Sequence, residues 1–203
     1  MTLLPEGRIL LLGATGTMGR LTAREMVRQG IIPILTGPDE EQLNALAEEL
    51  RSPSRTVDVA VVDVDQASGI RELITSPGDI VVSTLEDFAA NGSAVLRAAI
   101  DAGCGYLDCA WEPAFIRKVF QSYSTLAESK GSLVLSGFGC YYVAGTLAAT
   151  IAVRRTMVGS RPPARVDIGY FVTGGGRRGA PGEALIDDSF RWSESRIKTE
   201  RPG

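Results

Sequence analysis

The sequence Arg8-Ile-Leu-Leu-Leu-Gly-Ala-Thr-Gly-Thr-Met-Gly-Arg20 decides the fold class of this chain. Four apolar residues, 9–12, run into three glycines at positions 13, 16 and 19, and a helical pattern follows at residues 21–29. A buried strand, a tight turn and a helix start make a phosphate cradle, because the first N–H groups of a helix lack partners and its dipole favours an anion. We therefore predict a dinucleotide-binding turn, with a purely structural glycine turn as the alternative.

The three glycines have separate predicted roles. Gly13 permits the turn, Gly16 lets the backbone approach a pyrophosphate, and Gly19 lets the helix pack close to the strand. The predicted cofactor contacts in this turn are Gly13, Ala14, Thr15, Gly16, Thr17, Met18 and Gly19.

Strand and helix patterns alternate along the rest of the chain. After the first strand, strand patterns lie at 31–36, 57–63, 79–84, 106–109 and 132–136, and helix patterns lie at 39–50, 67–74, 93–102, 113–130 and 145–155. This alternation predicts an α/β fold with a doubly wound parallel sheet of the Rossmann type.

The pattern breaks at residues 160–163, where Ser-Arg-Pro-Pro is typical of a linker. Polar and apolar residues then alternate at 165–172, which predicts the first strand of a second, antiparallel or α+β domain. We expect a nucleotide-binding domain at 1–158, followed at 159–203 by a linker and a partial or truncated domain for substrate binding or dimerisation. Because so few residues remain for a substrate site, we expect a truncated chain or a homo-oligomer, in particular a dimer that pairs through 165–172.

Composition excludes several classes of protein. The net charge of −3 and the absence of a basic stripe argue against a nucleic-acid partner. Three cysteines without metal-ligand spacing predict no metal site and a reducing compartment, so we expect a cytoplasmic protein. No apolar stretch reaches the roughly 20 residues of a membrane helix. The chain has no histidine, which removes Ser-His-Asp and Cys-His arrangements.

The ends of the predicted strands supply the other candidate site residues, because ligands of open parallel sheets bind outside the carboxyl ends of the strands. Thr36 and Gly37 end the second strand, and Asp63 ends the third, near the predicted adenine edge. Ser83, Thr84 and Leu85 are predicted to line the nicotinamide side.

Catalytic candidates are weak. Glu112 and Tyr141 could exchange protons with a substrate, but a structural hydrogen bond or simple exposure remains the alternative for each. No Tyr-x-x-x-Lys pair is present, which argues against the chemistry of short-chain dehydrogenases.

Several motifs in order suggest a family. They are Gly-Ala-Thr-Gly-x-x-Gly-Arg at 13–20, Thr36-Gly37, Phe88, Asp101-Ala-Gly103, Tyr106-Leu-Asp108 with Glu112, and the segment from Gly139 to Gly145. Over residues 8–155 this set resembles the N-terminal domain of the saccharopine dehydrogenase-like reductases, which include the mycobacterial trans-acting enoyl reductases. The resemblance implies hydride transfer with a nicotinamide cofactor, commonly NADP(H), and a second, largely antiparallel domain that helps to form the substrate site.

The adenosine end departs from the family pattern. Family members often carry an Arg after Thr36-Gly37 that can pair with the 2′-phosphate of NADP, and here the residue is Pro38. Asp39 could bind a ribose hydroxyl or cap a helix, and Arg20 could supply the missing charge or be a solvated residue. NADP and NAD both remain possible, and we expect discrimination below about a hundredfold.

The nicotinamide end departs as well. The family's Asp-Ser-Val-Pro-Gly segment, expected as a loop facing the nicotinamide, stands here as Tyr-Tyr-Val-Ala-Gly at 141–145. Two functions therefore remain. One is an NAD(P)-dependent oxidoreductase that transfers hydride to a small-molecule imine, C–N or activated alkene substrate. The other is a non-catalytic dinucleotide-binding module that acts as a sensor or scaffold.

Overall fold

The structure, a computed structural model, describes residues 7–64, 67–157, 161 and 165–168. Six strands form one parallel sheet in the order β3-β2-β1-β4-β5-β6. They are β1 Ile9–Leu12, β2 Ile34–Gly37, β3 Val59–Val61, β4 Ile80–Ser83, β5 Gly105–Asp108 and β6 Val134–Leu135. This order, with β1 and β4 adjacent at the centre, is that of a doubly wound Rossmann sheet, so the predicted fold class is confirmed.

Helices connect the strands and cover both faces of the sheet. They are α1 Thr17–Arg28, α2 Glu40–Leu50, α3 Ala67–Leu73, α4 Ser93–Asp101, α5 Pro113–Lys118, α6 Ser124–Lys130 and α7 Cys140–Thr156. Two segments with the wider π-helical turn, Phe88–Gly92 and Val119–Tyr123, lead into α4 and α6.

The alternation of side chains along β1 divides the core into two clusters. Leu11 points to one face, where it packs with buried residues of α1 and α2 such as Ala23 and Leu43. Leu10 and Leu12 point to the other face, into a larger cluster with α3, α4, α5 and the residues around them. Because both faces of the sheet are buried, β1 is a continuous apolar run, as parallel sheets require.

Some predicted boundaries were too long. The second strand starts at Ile34 rather than residue 31, because Pro33 has no N–H to donate to a neighbouring strand. The third strand is limited to residues 59–61. The predicted helix at 113–130 is one helical run that is interrupted by the π-helical turn at Val119–Tyr123.

The prediction of a loop at residues 141–145 was wrong. Helix α7 begins at Cys140, and the Val143 N–H donates to the carbonyl oxygen of Gly139 at 3.0 Å. The residues between Cys140 and Gly145 include no proline, and a single glycine inside a helix costs only about 1 kcal/mol. Gly145 therefore does not mark the start of the helix.

The chain divides into two compact units, 1–164 and 165–203. Of the predicted strand at 165–172, the described residues 165–168 are not in a strand, and the remaining positions lie outside the described residues. Arg165 pairs instead with Asp167 two residues along, at 2.8 Å.

Candidate functional site

The connections after β1 and β4 leave the centre of the sheet side by side. Leu12 and Ser83 are partners in the parallel register, and the Thr84 N–H donates to the carbonyl oxygen of Leu12 at 3.0 Å. The chain turns from β1 to α1 on one face and from β4 to α4 on the other, so a crevice is expected at this switch point.

The glycine turn from β1 to α1 is held close to its neighbours. Gly13 has a φ of +73°, a left-handed conformation that side chains disfavour. A Cβ on Gly19 would lie 2.7 Å from the Cα of Ala14 and would overlap the carbonyl oxygen of Gly13. The Ala14 N–H donates to Thr36 of β2 at 3.1 Å. Glycine at 13 and 19 is therefore a requirement of the turn itself.

The start of α1 faces outward without a side-chain cap. Gly16 is the N-cap residue, no side chain of the described residues accepts from the first N–H groups, and the first turn contains no acidic residue. A Cβ on Gly16 would be 3.4 Å from the nearest described atom, the Gly13 carbonyl oxygen, so a side-chain carbon fits here without a clash. Thr17 and Met18 are exposed. The unpartnered N–H groups and the helix dipole suit a negatively charged ligand.

The start of α2 is closed by a carboxylate of the chain itself. Asp39 caps this helix and accepts from the backbone N–H of Gln42 at 3.0 Å and from its side-chain amide at 2.7 Å. These hydrogen bonds, the backbone one first, lower the pKa of Asp39. Asp39 thus fulfils the capping role, one of the two predicted for it.

Arg20 connects the glycine turn to α2. Its Nε donates to the carbonyl oxygen of Thr15 at 2.8 Å, and its terminal nitrogen donates to the Gln42 side chain at 3.3 Å. The Arg20 guanidinium is therefore held at the junction of the two elements rather than free in solvent.

The predicted adenosine side lies beyond this junction. Thr36 and Gly37 are buried in β2, and a Cβ on Gly37 would lie 3.8 Å from the Thr15 hydroxyl oxygen. Asp63 is exposed two residues past the end of β3. The structure thus places Thr36 and Gly37 beside the glycine turn, whereas Asp63 is at the edge of the sheet, after the outermost strand.

The predicted nicotinamide side follows β4. Thr84 is buried, and its hydroxyl donates to the carbonyl oxygen of Leu12 at 2.7 Å. Ser83 is also buried, with its hydroxyl near that of Tyr106, and Leu85 is half-buried. The side chains of Ser83 and Thr84 point into the protein, so Leu85 is the most accessible of the three.

Glu112 serves as an internal acceptor. Its Oε1 accepts from the Phe88 N–H at 3.0 Å, and its Oε2 is buried with no partner among the residues that the structure describes. Asp87 accepts from the Ala90 N–H at 2.9 Å at the same helix start. Tyr141 lies in α7, and its side chain is outside the described residues.

Asp108 is a buried junction at the end of β5. One carboxylate oxygen accepts from the N–H groups of Ala110 and Gly137, and the other accepts from the Ser136 hydroxyl at 2.8 Å. Burial, and then the charge of Asp108, raise the pKa of the neighbouring Tyr106 hydroxyl. Tyr106 is therefore a neutral phenol inside the sheet rather than a proton donor at the surface.

The saccharopine dehydrogenase NADP-binding domain model matches residues 9–135, from the first residue of β1 to the last residue of β6. This chain belongs to that family. Membership supports a nicotinamide dinucleotide as the cofactor, and it agrees with the open start of α1.

Relatives and solved structures extend the comparison. The chain is 28% identical over 151 residues to a probable mitochondrial saccharopine dehydrogenase-like oxidoreductase of Arabidopsis thaliana, covering 66% of this chain and 32% of that protein. It is 25% identical over 136 residues to a trans-acting enoyl reductase of Mycobacterium ulcerans, covering 66% and 32%. Saccharopine dehydrogenase (L-Glu forming) of Saccharomyces cerevisiae superposes with a TM-score of 0.55 at 18% identity, covering 73% of this chain and 32% of that one, and shares the fold. The chain thus spans about a third of the length of the curated relatives it matches.

Sequence reasoning missed several features of this family site. Gln42 was not considered, although it links Arg20 to Asp39. Glu86 follows the end of β4 by three residues, and its carboxylate reaches within 3.9 Å of where a Gly16 Cβ would lie. The contacts of Arg20 with Gln42 and of Glu86 with the glycine turn join residues far apart in sequence, so no local pattern could have shown them. The Asp39–Gln42 contact is local, at the three-residue spacing of a helix cap.

In the part of the chain that the structure describes, no three His, Cys, Asp or Glu side chains are grouped to hold a metal ion. None of the helices described there is long and apolar enough to cross a membrane.

Proposed function

We propose that this chain binds NADP(H) or NAD(H) with the pyrophosphate over residues 15–18, and forms the nucleotide-binding part of a saccharopine dehydrogenase-like oxidoreductase. The start of α1 carries this proposal, because its N–H donors meet no side-chain cap and the N-cap glycine leaves room for a phosphate. Glu86 is exposed and can rotate away from Gly16, although its negative charge weakens the affinity of this helix start for phosphate.

The strand order gives the two halves of the cofactor different surroundings. In this proposal the adenosine lies toward β2 and β3, near Thr36, Gly37 and Asp63. The nicotinamide lies on the other side of the switch point, near residues 83–85. The bound nicotinamide supplies or accepts the hydride, and the protein orients it and excludes water.

The substrate is proposed from the relatives' names and from the family. An imine, a C–N bond or an activated alkene fits proteins named saccharopine dehydrogenase and enoyl reductase. Glu112 and Tyr141 remain the proposed proton-transfer residues. For Glu112 this role requires that the bond from the Phe88 N–H be exchanged for a substrate contact.

The internal bond of Glu112 also supports the second candidate, a non-catalytic dinucleotide sensor or scaffold. A chain without histidine, whose described carboxylate candidate is already bonded inside the protein, can bind a cofactor without transferring hydride. The two candidates differ in one measurement. Loss of the near-ultraviolet absorbance of NADPH with imine or enoyl substrates is expected for the oxidoreductase, and no loss despite tight binding for the sensor.

The cofactor proposal is tested by calorimetric titration with NADPH and NADH. Gly16→Val places a branched side chain where the phosphate must approach, so both cofactors should bind at least about a hundredfold more weakly. The melting temperature should stay close to that of the parent, because a Cβ on Gly16 would meet its nearest described neighbour at 3.4 Å, an ordinary van der Waals distance. Equal affinity in the variant would show that the pyrophosphate binds elsewhere.

We also propose that this chain forms a homodimer. The strand edge predicted at 165–172 does not support it, since residues 165–168 are not in a strand. Sedimentation velocity gives the oligomeric state directly, and a monomer across the micromolar range would contradict the dimer.

A further inference from the structure

The three arginines of α1 differ in what neutralises them. Arg24 pairs with Glu49 at 2.7 Å, and Arg28 pairs with Glu25 at 2.6 Å. Arg20 instead contacts two neutral oxygens, the Thr15 carbonyl and the Gln42 amide, and forms no ion pair with the described residues. Arg20 therefore keeps an uncompensated charge at a fixed place.

Glu49 does not alter this conclusion. Hydrogen bonding to Arg24 is the main cause that lowers the pKa of Glu49, and the charge of Arg20 contributes only last. Both carboxylate oxygens of Glu49 accept from Arg24, at 2.7 and 3.1 Å. The guanidinium of Arg20 is thus the one of these three that remains available to an anionic ligand.

The position of Arg20 tells which anion it would meet. Its two partners lie in the glycine turn and in the first turn of α2, so the guanidinium spans the gap at the carboxyl end of β2. Gly37 ends this strand and lies beside Thr15. If the pyrophosphate lies over residues 15–18, this gap is on the side of the adenosine ribose rather than the nicotinamide.

We propose that Arg20 binds the 2′-phosphate of NADP(H). It supplies the positive charge that residue 38, a proline, cannot supply. The inference rests on the proposed cofactor site. A guanidinium presents planar paired donors that match phosphate oxygens, and the existing bond from Nε to Thr15 holds the group in place.

Asp39 opposes Arg20 at the same site. The Gln42 side-chain amide accepts from Arg20 with its oxygen and donates to Asp39 with its nitrogen, at 3.3 and 2.7 Å. The carboxylate repels a 2′-phosphate and can accept from a 2′-hydroxyl. Arg20 and Asp39 together thus set the ratio of the affinities for NADP(H) and NAD(H). Because their charges have opposite effects on a 2′-phosphate, this ratio stays modest.

The test compares two fragments that differ only in the group of interest. Adenosine 2′,5′-bisphosphate and adenosine 5′-monophosphate are titrated calorimetrically into the parent, Arg20→Gln and the matched control Arg24→Gln. Arg20→Gln should weaken the bisphosphate about ten- to a hundredfold and the monophosphate less than about threefold. Arg24→Gln should change neither. Asp39→Asn keeps a good helix cap and should strengthen the bisphosphate severalfold.

Each other outcome overturns the inference. An unchanged bisphosphate affinity in Arg20→Gln would remove Arg20 from the 2′-phosphate site while leaving the cofactor proposal intact. An equal loss of both fragments, with an unchanged melting temperature, would assign Arg20 to the 5′-phosphate instead. If the parent bound neither fragment and neither full cofactor, the proposed function itself would fail together with this inference.

Discussion

Helices α1 and α2 begin at the same edge of the sheet, but their N-terminal ends are capped in opposite ways. Helix α2 has Asp39 as its cap and Glu40 and Glu41 in its first turn, so its N–H donors and its dipole meet negative charge within the protein. Helix α1 begins at Gly16 with no side-chain acceptor and no acidic residue. Backbone physics gives both helices the same unpartnered donors.

The difference separates a structural helix start from a binding one. The helical turn that begins at Phe88 is capped in the same way as α2, since Asp87 and Glu112 both accept from its N–H groups. Helix α7 resembles α1 in beginning at a glycine, Gly139, without a side-chain cap from the described residues. At α2 and at Phe88 the chain supplies carboxylates that satisfy the donors internally, whereas at α1 the described side chains leave them available to an external anion.

The largest effect is expected from Gly19→Ala, which disrupts the close packing of α1 against β1. The added Cβ would collide with the Gly13 carbonyl and with Ala14, so the turn must shift. We expect a loss of about 2–3 kcal/mol in the free energy of unfolding, measured with urea, together with loss of cofactor binding. Gly16→Ala is the matched control, because its φ of −71° and ψ of 169° suit alanine. Equal stability of the two variants would contradict the tight approach.

Gly16→Asp would convert the start of α1 into a copy of the start of α2. The new carboxylate can accept from the free N–H groups, so the unfolding free energy should rise by a few tenths of a kcal/mol. Affinity for NADPH and NADH should fall at least about a hundredfold, because the phosphate would meet a fixed negative charge. Retained binding in calorimetry would mean that the helix start is not the anion site.

Asp79 is likewise a carboxylate whose hydrogen-bond partners lie within the protein, at the opposite edge of the sheet. This buried carboxylate accepts from the backbone and side chain of Arg8 and from the Thr75 N–H. Burial alone would raise the pKa of Asp79, but these hydrogen bonds outweigh it and lower the pKa from 3.8 to about 2.

A lowered pKa makes the stability depend on pH in a defined direction. The Asp79 contribution, about 2 kcal/mol, should be complete above about pH 5 and should disappear as the pH falls through about 2. Denaturant titrations across this range measure it. Asp79→Asn should lower the stability at neutral pH and flatten this part of the acid profile. An unchanged profile in the variant would show that other carboxylates control acid unfolding.

Local patterns predicted the fold well, because each strand, turn and helix start of a doubly wound sheet is encoded in a short segment of sequence. The apolar run at residues 9–12, the glycine spacing after it and the acidic start at Asp39 are each readable without tertiary contacts. The order of the strands follows from these units and from the handedness of their connections.

Some contacts at the helix starts were less predictable, because they are made by distant residues. Glu112 satisfies Phe88 across 24 positions, and Arg20 meets Gln42 across 22. Neither spacing corresponds to a helical or strand period, so no sequence pattern indicates them. The start of α7 was missed for another reason, since Gly145 was taken as a boundary although a helix tolerates it.

The smallest loss of stability is expected at Asp39, the residue that caps α2. Asp39→Ala removes the acceptor of the Gln42 N–H, which should cost about 1 kcal/mol of unfolding free energy, whereas Asp39→Asn retains an acceptor and should cost less than about half of that. Urea denaturation of the two variants isolates the hydrogen bond from the charge. If Asp39→Ala were as stable as the parent, water would satisfy this helix start as well as a carboxylate does. The contrast with α1 would then lie in the charge presented to a ligand and not in stability.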